Sequence, residues 1–345
     1  MVKKCRKKKQ KFPVVIFLMI IIIVVGCLFI NNKELMKDNL KLDINVKNNP
    51  KLKIIDENSN SRPIAVMINN HPQAVSNHAG LQDAYLVYEI IVEGGYTRMM
   101  AIFKDKSTEK IGSVRSSRHY FLDYALENDA IYVHYGWSPQ AQSDIINYSI
   151  NNINGLYDSA FWRDSSLNVA YEHTAFTSIG KIKQMIDKKG YRQTSNKKML
   201  LSYSLEPVNL SEIQESILAN EVIIPYSNYQ ETTYKYDADN KVYKRFVNNK
   251  EHMDAITKKQ YTTKNIIIQK VSNYAMDSYG RQDINNVGNG DGYFITNGYA
   301  VPIQWTKASR QDQTIYKYKD GKVINVNDGN TYIQIQPINQ ITNIY

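Results

Sequence analysis

Cysteine is nearly absent from this 345-residue chain: Cys5 and Cys27 are the only two, both within the first 30 residues. Beyond that head no disulfide, no cysteine-based zinc site and no thiol nucleophile can exist. No GxSxG, Walker loop or GxGxxG occurs, which withdraws support from the common hydrolase and nucleotide-binding readings. HExxH is missing as well, and no other ligand spacing calls for a metal or a cofactor. There is no regular repeat and no long low-complexity tract. Acidic residues are absent from the first 11 positions, which hold Lys3, Lys4, Arg6, Lys7, Lys8, Lys9 and Lys11. Past that block, 36 basic residues face 33 acidic ones, a net charge of +3 out of the formal +10. The basic excess is mostly a property of the head, so a nucleic-acid partner loses its electrostatic argument.

What the head does contain is an apolar run, Phe12 to Ile30, behind the basic block. That arrangement reads as an export and membrane-anchoring signal. Two anchors fit it. Val24-Val25-Gly26 before Cys27 matches a bacterial lipobox, with Cys27 lipidated. The run is also about as long as a minimal span, and Leu28-Phe29-Ile30 suits an uncleaved helix. Both put the rest of the chain on the extracytoplasmic side of the cell membrane, with the membrane as its first partner.

The exported part is long enough to be held by its core alone and to form two domains. Its pattern predicts an α+β protein. Residues 1–30 are the anchor, 31–61 a polar tether closing on Asn58-Ser59-Asn60-Ser61, and 62–190 a mixed α/β domain with a Gly-Gly hairpin. Residues 191–220 form a seam, and 221–345 a smaller β-rich domain. Strands are expected at Pro63–Ile68, Tyr85–Val92, Thr97–Phe103 and Ala130–Tyr135, with a further short one at Lys51–Ile55. Helices are expected at Tyr120–Leu126, from Pro139 with Ser138 as cap, and at Ser178–Lys188 before Gly190. Asn297-Gly298 and Asp320-Gly321 mark hairpins in the second domain.

Gly94-Gly95, taken as the two residues of a tight turn, pairs Ile91 with Arg98 and Glu89 with Met100. Alternation then sets Glu89, Glu93 and Arg98 on one face, as a polar ligand site, a seat for a catalytic carboxylate, or an ion network fixing the hairpin. Four residues of strand separate the two carboxylates by roughly 13 Å, wide for a glycosidase pair. Arg115-Ser116-Ser117-Arg118 precedes a predicted helix. Its hydroxyls, free N–H groups and guanidiniums suit phosphate, sulfate or carboxylate, or else an ordinary serine cap. His134 ends a strand where α/β folds place functional groups, or is a hydrogen-bonded core histidine. His173 follows Tyr171-Glu172. Phe161-Trp162-Arg163 is either an aromatic and basic contact for a glycan or peptide, or core.

Several motifs occur in order: Arg62-Pro63-Ile64-Ala65-Val66-Met67-Ile68-Asn69-Asn70, Val87-Tyr88-Glu89, Val92-Glu93-Gly94-Gly95-Tyr96-Thr97-Arg98 and Ile111-Gly112-Ser113-Val114-Arg115-Ser116-Ser117-Arg118. His134-Tyr135-Gly136, Phe161-Trp162-Arg163, His173-Thr174, Trp305-Thr306-Lys307 and Thr331 to Pro337 follow. Together they resemble the YerB-like lipoprotein family of Gram-positive bacteria, which pairs an N-terminal and a C-terminal domain of unknown function. The resemblance implies a membrane-tethered extracytoplasmic α+β protein and brings no reaction or cofactor with it. The family pattern usually has Asp where Asn69 stands.

The expected function is therefore a non-enzymatic, membrane-anchored envelope protein. It binds an anionic or polar envelope ligand, or a protein partner, through Arg98, Arg115, Ser116, Ser117, Arg118, His134 and Arg163. One alternative is a cell-wall or glycan-processing enzyme using Glu89 or Glu93 with His134 or His173. Another is an envelope or sporulation scaffold docking through its β-rich domain.

Overall fold

A computed structural model describes residues 51–345, which form one compact unit with few helices and many strands. The first 50 residues, including the expected anchor, Cys27 and most of the expected tether, lie outside the described residues. In the first half of the chain, five strands join the principal sheet: β1 (Ile64–Asn69), β2 (Leu86–Ile91), β3 (Thr97–Phe103), β4 (Ile131–His134) and β5 (Asn152–Asn154). β1 to β4 are buried at every position, as near-continuous apolar runs covered on both faces must be. Besides the single turn Pro72–Val75, three longer helices interleave with them among the described residues: α1 (His119–Glu127), α2 (Pro139–Asn147) and α3 (Ile179–Lys189). Ser138 Oγ caps α2 by accepting the Ala141 N–H, and Ser178 Oγ does the same for α3 with Lys181. Gly190, at φ 64°, stops α3.

The second half contributes β6 (Glu221–Pro225), β7 (Glu231–Asp237) and β8 (Val242–Val247) to a separate six-stranded antiparallel sheet. It then returns with β9 (Asn265–Val271), β10 (Gly288–Thr296), β11 (Tyr299–Lys307) and β12 (Thr331–Pro337). The β10–β11 turn is Asn297-Gly298, both at positive φ, as a tight two-residue hairpin needs. β12 joins the two halves. It lies between β9 and β2, parallel to each, in an eleven-stranded sheet of order β11-β10-β9-β12-β2-β3-β1-β4-β5, with the short strands Ile217–Leu218 and Ile315–Tyr318 both on β11.

Adjacent residues of β2 show what covers each face. The Tyr88 hydroxyl reaches Glu127 of α1, while the Glu89 carboxylate reaches Thr232 of β7 and Arg245 of β8. The large sheet thus carries α1 on one face and the second sheet on the other.

Three expectations differ in detail. The hairpin loop has three residues, Glu93-Gly94-Gly95, not two, and the Val92 N–H donates to the Tyr96 carbonyl beneath it. Glu89 therefore pairs with Met99, and Arg98 with Ile90. A one-residue slip reverses every side chain, so Arg98 and Glu89 lie on opposite faces. Next, Lys51–Ile55 is docked but forms no strand. Leu52 and Ile55 are buried, and the Lys53 and Ile54 amides donate to the Asp328 carboxylate. Finally, residues 191–220 also pair into sheets, Ser202–Ser204 with Asn325–Asn327 and Ile217–Leu218 with β11.

Candidate functional site: a donor-rich cleft at the end of β1

β1, β2 and β4 run in the same direction, and the segments beyond the ends of β1 and β2 converge on a cavity of about 310 Å³. Its chemistry comes from Asn69, His71, Glu93, Arg98, Arg115 and His173.

Arg98 is only 7% exposed, and its one partner among the described residues is the Ser116 carbonyl, 2.6 Å from Nη1. Burial, with Arg118 and Arg115 nearby and Glu93 opposing, pushes its pKa down to about 9. Arg118 is satisfied differently. It grips Glu93 with two parallel bonds, Nε to Oε1 at 2.5 Å and Nη2 to Oε2 at 2.8 Å. Burial works to raise the Glu93 pKa, but Arg118 holds it below the usual carboxylate value. Arg115 reaches only Glu172, at 4.0 Å, and burial lowers its pKa despite that neighbour. Two guanidiniums therefore retain free donors in a cleft whose nearest buried carboxylate is already engaged.

The imidazoles of His71 and His173 stack at 4.9 Å, and Tyr96 leans on His71 at 4.8 Å. Burial lowers the pKa of both rings. Arg115 acts in the same direction on each and Glu172 against it, and His71 further lowers the pKa of His173. Asn69 Nδ2 lies 2.6 Å from His173 Nδ1. Among the described residues no third His, Cys, Asp or Glu completes a metal-ligand cluster here.

Of the residues singled out from sequence, the cleft gathers Arg98, Arg115, Glu93 and His173, with Arg118 behind Glu93. Glu89 lies outside it, fully buried, accepting from Asn70, Thr97, Thr232 and Arg245. His134 is a core residue, bonded to the Gly136 carbonyl and Asn152 Oδ1, and burial pushes it to about 4. Ser116 and Ser117 do not build a helix-start anion site. α1 begins at His119, the Ser117 N–H donates to the Gly136 carbonyl, and the hydroxyls meet the Tyr135 carbonyl and the Tyr132 hydroxyl. Arg163 is sandwiched between Tyr135 and Tyr171, 4.3 and 4.1 Å from their ring centres. His71 and Asn69 were not picked out as site residues, although the strand-end rule applied to His134 holds equally for the end of β1.

The description "Protein of unknown function (DUF3048) N-terminal domain" matches residues 51–192, and its C-terminal counterpart matches 222–333. The chain belongs to the DUF3048 family. "Putative lipoprotein YerB" of Bacillus subtilis (strain 168) is 34% identical over 281 residues, covering 80% of this chain and 81% of the relative. The crystal structure of YerB from Bacillus subtilis matches with a TM-score of 0.72 at 30% identity, over 83% of this chain and 94% of that one. The DUF3048 N-terminal match begins at Lys51 and so includes the docked Leu52 and Ile55. The cleft is built by the N-terminal DUF3048 domain, and Thr232 and Arg245 of the C-terminal domain hold Glu89 outside it. No helix among the described residues is long and apolar enough to cross a membrane.

Proposed function

We propose that this DUF3048 protein is a membrane-anchored, extracytoplasmic binding protein whose N-terminal domain captures an anionic envelope ligand in the β1-end cleft. The observation that carries the reading is the pair Arg98 and Arg115. Arg98 is buried without a carboxylate partner and the half-buried Arg115 reaches Glu172 only at 4.0 Å, so an incoming oxyanion would offset the cost of holding these guanidiniums here. Binding is favoured over carboxylate catalysis because Glu93 is held ionised by Arg118 and Glu89 is surrounded by donors. Neither carboxylate is hydrogen-bonded to an imidazole, as an acid/base pair requires. Calorimetry of the full chain in detergent, titrated with phosphate, sulfate and succinate, tests this. Binding that is lost in Arg98→Gln/Arg115→Gln supports it, and equal binding by the double variant refutes it.

The anchor is supported by the lipobox-like run before Cys27 and by the name of the Bacillus subtilis relative. A fatty-acid probe should label the wild type and not Cys27→Ala. Equal labelling of the two, or none of either, would leave the uncleaved helix as the anchor.

A further inference from the structure

A chain of polar groups runs from the buried Glu89–Arg245 pair to the cleft, and only one assignment of protons satisfies all of it. Arg245 Nη2 lies 2.8 Å from Glu89 Oε2, with both side chains wholly buried. The guanidinium has only donors, so its Nη1 donates to His252 Nδ1. His252 must then carry its proton on Nε2, which lies 2.7 Å from His78 Nδ1. His78 in turn donates from Nε2 to the Asn69 carbonyl, an atom that can only accept. The same logic governs the Asn69 side chain. Its Oδ1 accepts the His71 N–H at 3.2 Å, which turns Nδ2 toward His173 Nδ1. His173 Nδ1 is therefore an acceptor, and the ring proton sits on Nε2. That nitrogen has no partner among the described residues, although His173 is only 4% exposed and lines the cleft.

We propose that His173 is a binding residue of this cleft that contacts the anion as a neutral Nε2–H donor. Asn69 sets its tautomer, and His78, His252 and Arg245 hold the residue 69 backbone in place as positioning residues. The inference rests on the anion-binding reading and deepens it. Arg98, Arg115 and His173 then present donors only, so the ligand end they fit is an acceptor-only oxyanion, phosphoryl or carboxylate. The groups around His173 are His71 stacked on it, Arg115 and Glu172. Glu172 is the acceptor among them, but its carboxylate makes no hydrogen bond to the ring, whose Nδ1 faces Asn69 Nδ2. Protonating His173 would set N–H against N–H at that contact, so binding does not depend on imidazolium.

The experiment uses the full chain in detergent, with sulfate as a probe whose charge is constant between pH 6 and 8, and phosphate and succinate as separate arms. Three results are expected. Long-range nitrogen–proton NMR places the His173 proton on Nε2 throughout that range. Sulfate affinity is constant with pH, and His173→Phe weakens it about tenfold, the loss of one bond to a charged group. Asn69→Asp requires a proton on Nδ1, so it takes the neutral ring's proton away from Nε2 and makes sulfate bind more tightly at pH 6, where the imidazolium donates from both nitrogens, than at pH 8. Preference between the phosphate and succinate arms identifies the ligand end. A wild-type His173 protonated on Nδ1, or titrating near 6.5, overturns the inference, as does undiminished sulfate binding by a folded His173→Phe. Either result leaves the anion reading standing. Failure of the wild type to bind any of the three anions removes both.

Discussion

Arg245 is the hub of the buried polar cluster around Glu89. It neutralises Glu89, donates to Thr232 and His252, and lies over the Tyr332 ring at 5.7 Å. Burial alone would lower its pKa, but Glu89 more than compensates and holds it above the usual value. Replacing it with methionine leaves the Glu89 carboxylate buried and unpaired, a loss of about 3–5 kcal/mol. Urea unfolding of Arg245→Met is expected to show that loss. The double variant Glu89→Gln/Arg245→Met should recover a substantial part of it, because neither charge is then left alone. Equal losses in the single and double variants would show that the pair does not act as a unit.

At the scale of elements, the β2–β3 hairpin decides which charged residues can meet. Gly94 and Gly95 sit at φ 69° and 74°, a region that L side chains rarely adopt. A Cβ on Gly95 would also come 2.8 Å from Ser227 Oγ, whose hydroxyl donates to the Gly95 carbonyl at 2.6 Å. Gly95→Ala is expected to cost about 1–3 kcal/mol, through backbone strain and the displaced Ser227 contact. Gly94→Ala meets nothing closer than 3.4 Å and should cost less. Thermal unfolding of the two variants checks the order, and the reverse ranking would exclude the Ser227 contact as a cause. The elements themselves were legible: capped helices, apolar strand runs and Asn297-Gly298 all follow from local chemistry. The hairpin register was not, because a Gly-Gly pair serves a two-residue and a three-residue loop equally well. That single residue moved Arg98 to the face opposite Glu89.

For the whole molecule, the two DUF3048 domains are locked across both faces of one sheet. On one face Glu89 meets Arg245. On the other, Glu127 of α1 meets Lys307 of β11 at 2.7 Å and also accepts from Thr314 and Tyr88. The same packing keeps several imidazoles neutral. Burial holds His78 and His134 at about 4, and His252 well below its ordinary value. Unfolded, each titrates near 6.5. Stability is therefore complete above that pH and declines as pH falls toward 4, because the unfolded chain takes up protons that the fold refuses. Each such histidine contributes a slope of about 1.4 kcal/mol per pH unit. Urea midpoints should fall steeply between pH 6.5 and 4.5, and less steeply in His134→Gln. A flat profile would mean that these rings are protonated in the fold.

By itself the sequence determined the α+β class, most strands and helices, and the family, and it singled out Arg98, Arg115, Glu93 and His173, which the fold brings to one cleft. Those follow from short-range patterns: apolar period, cap residues, turn glycines and motif order. The tertiary structure alone decided that β12 from the end of the chain pairs with β2 from its beginning. It also joined Arg245 and His252 to Glu89 and His78, more than 150 residues away in each case, and made Asn69 the residue that fixes the His173 proton. Such contacts leave no local trace, since buried polar groups must find partners wherever the packed sheets bring a donor and an acceptor together.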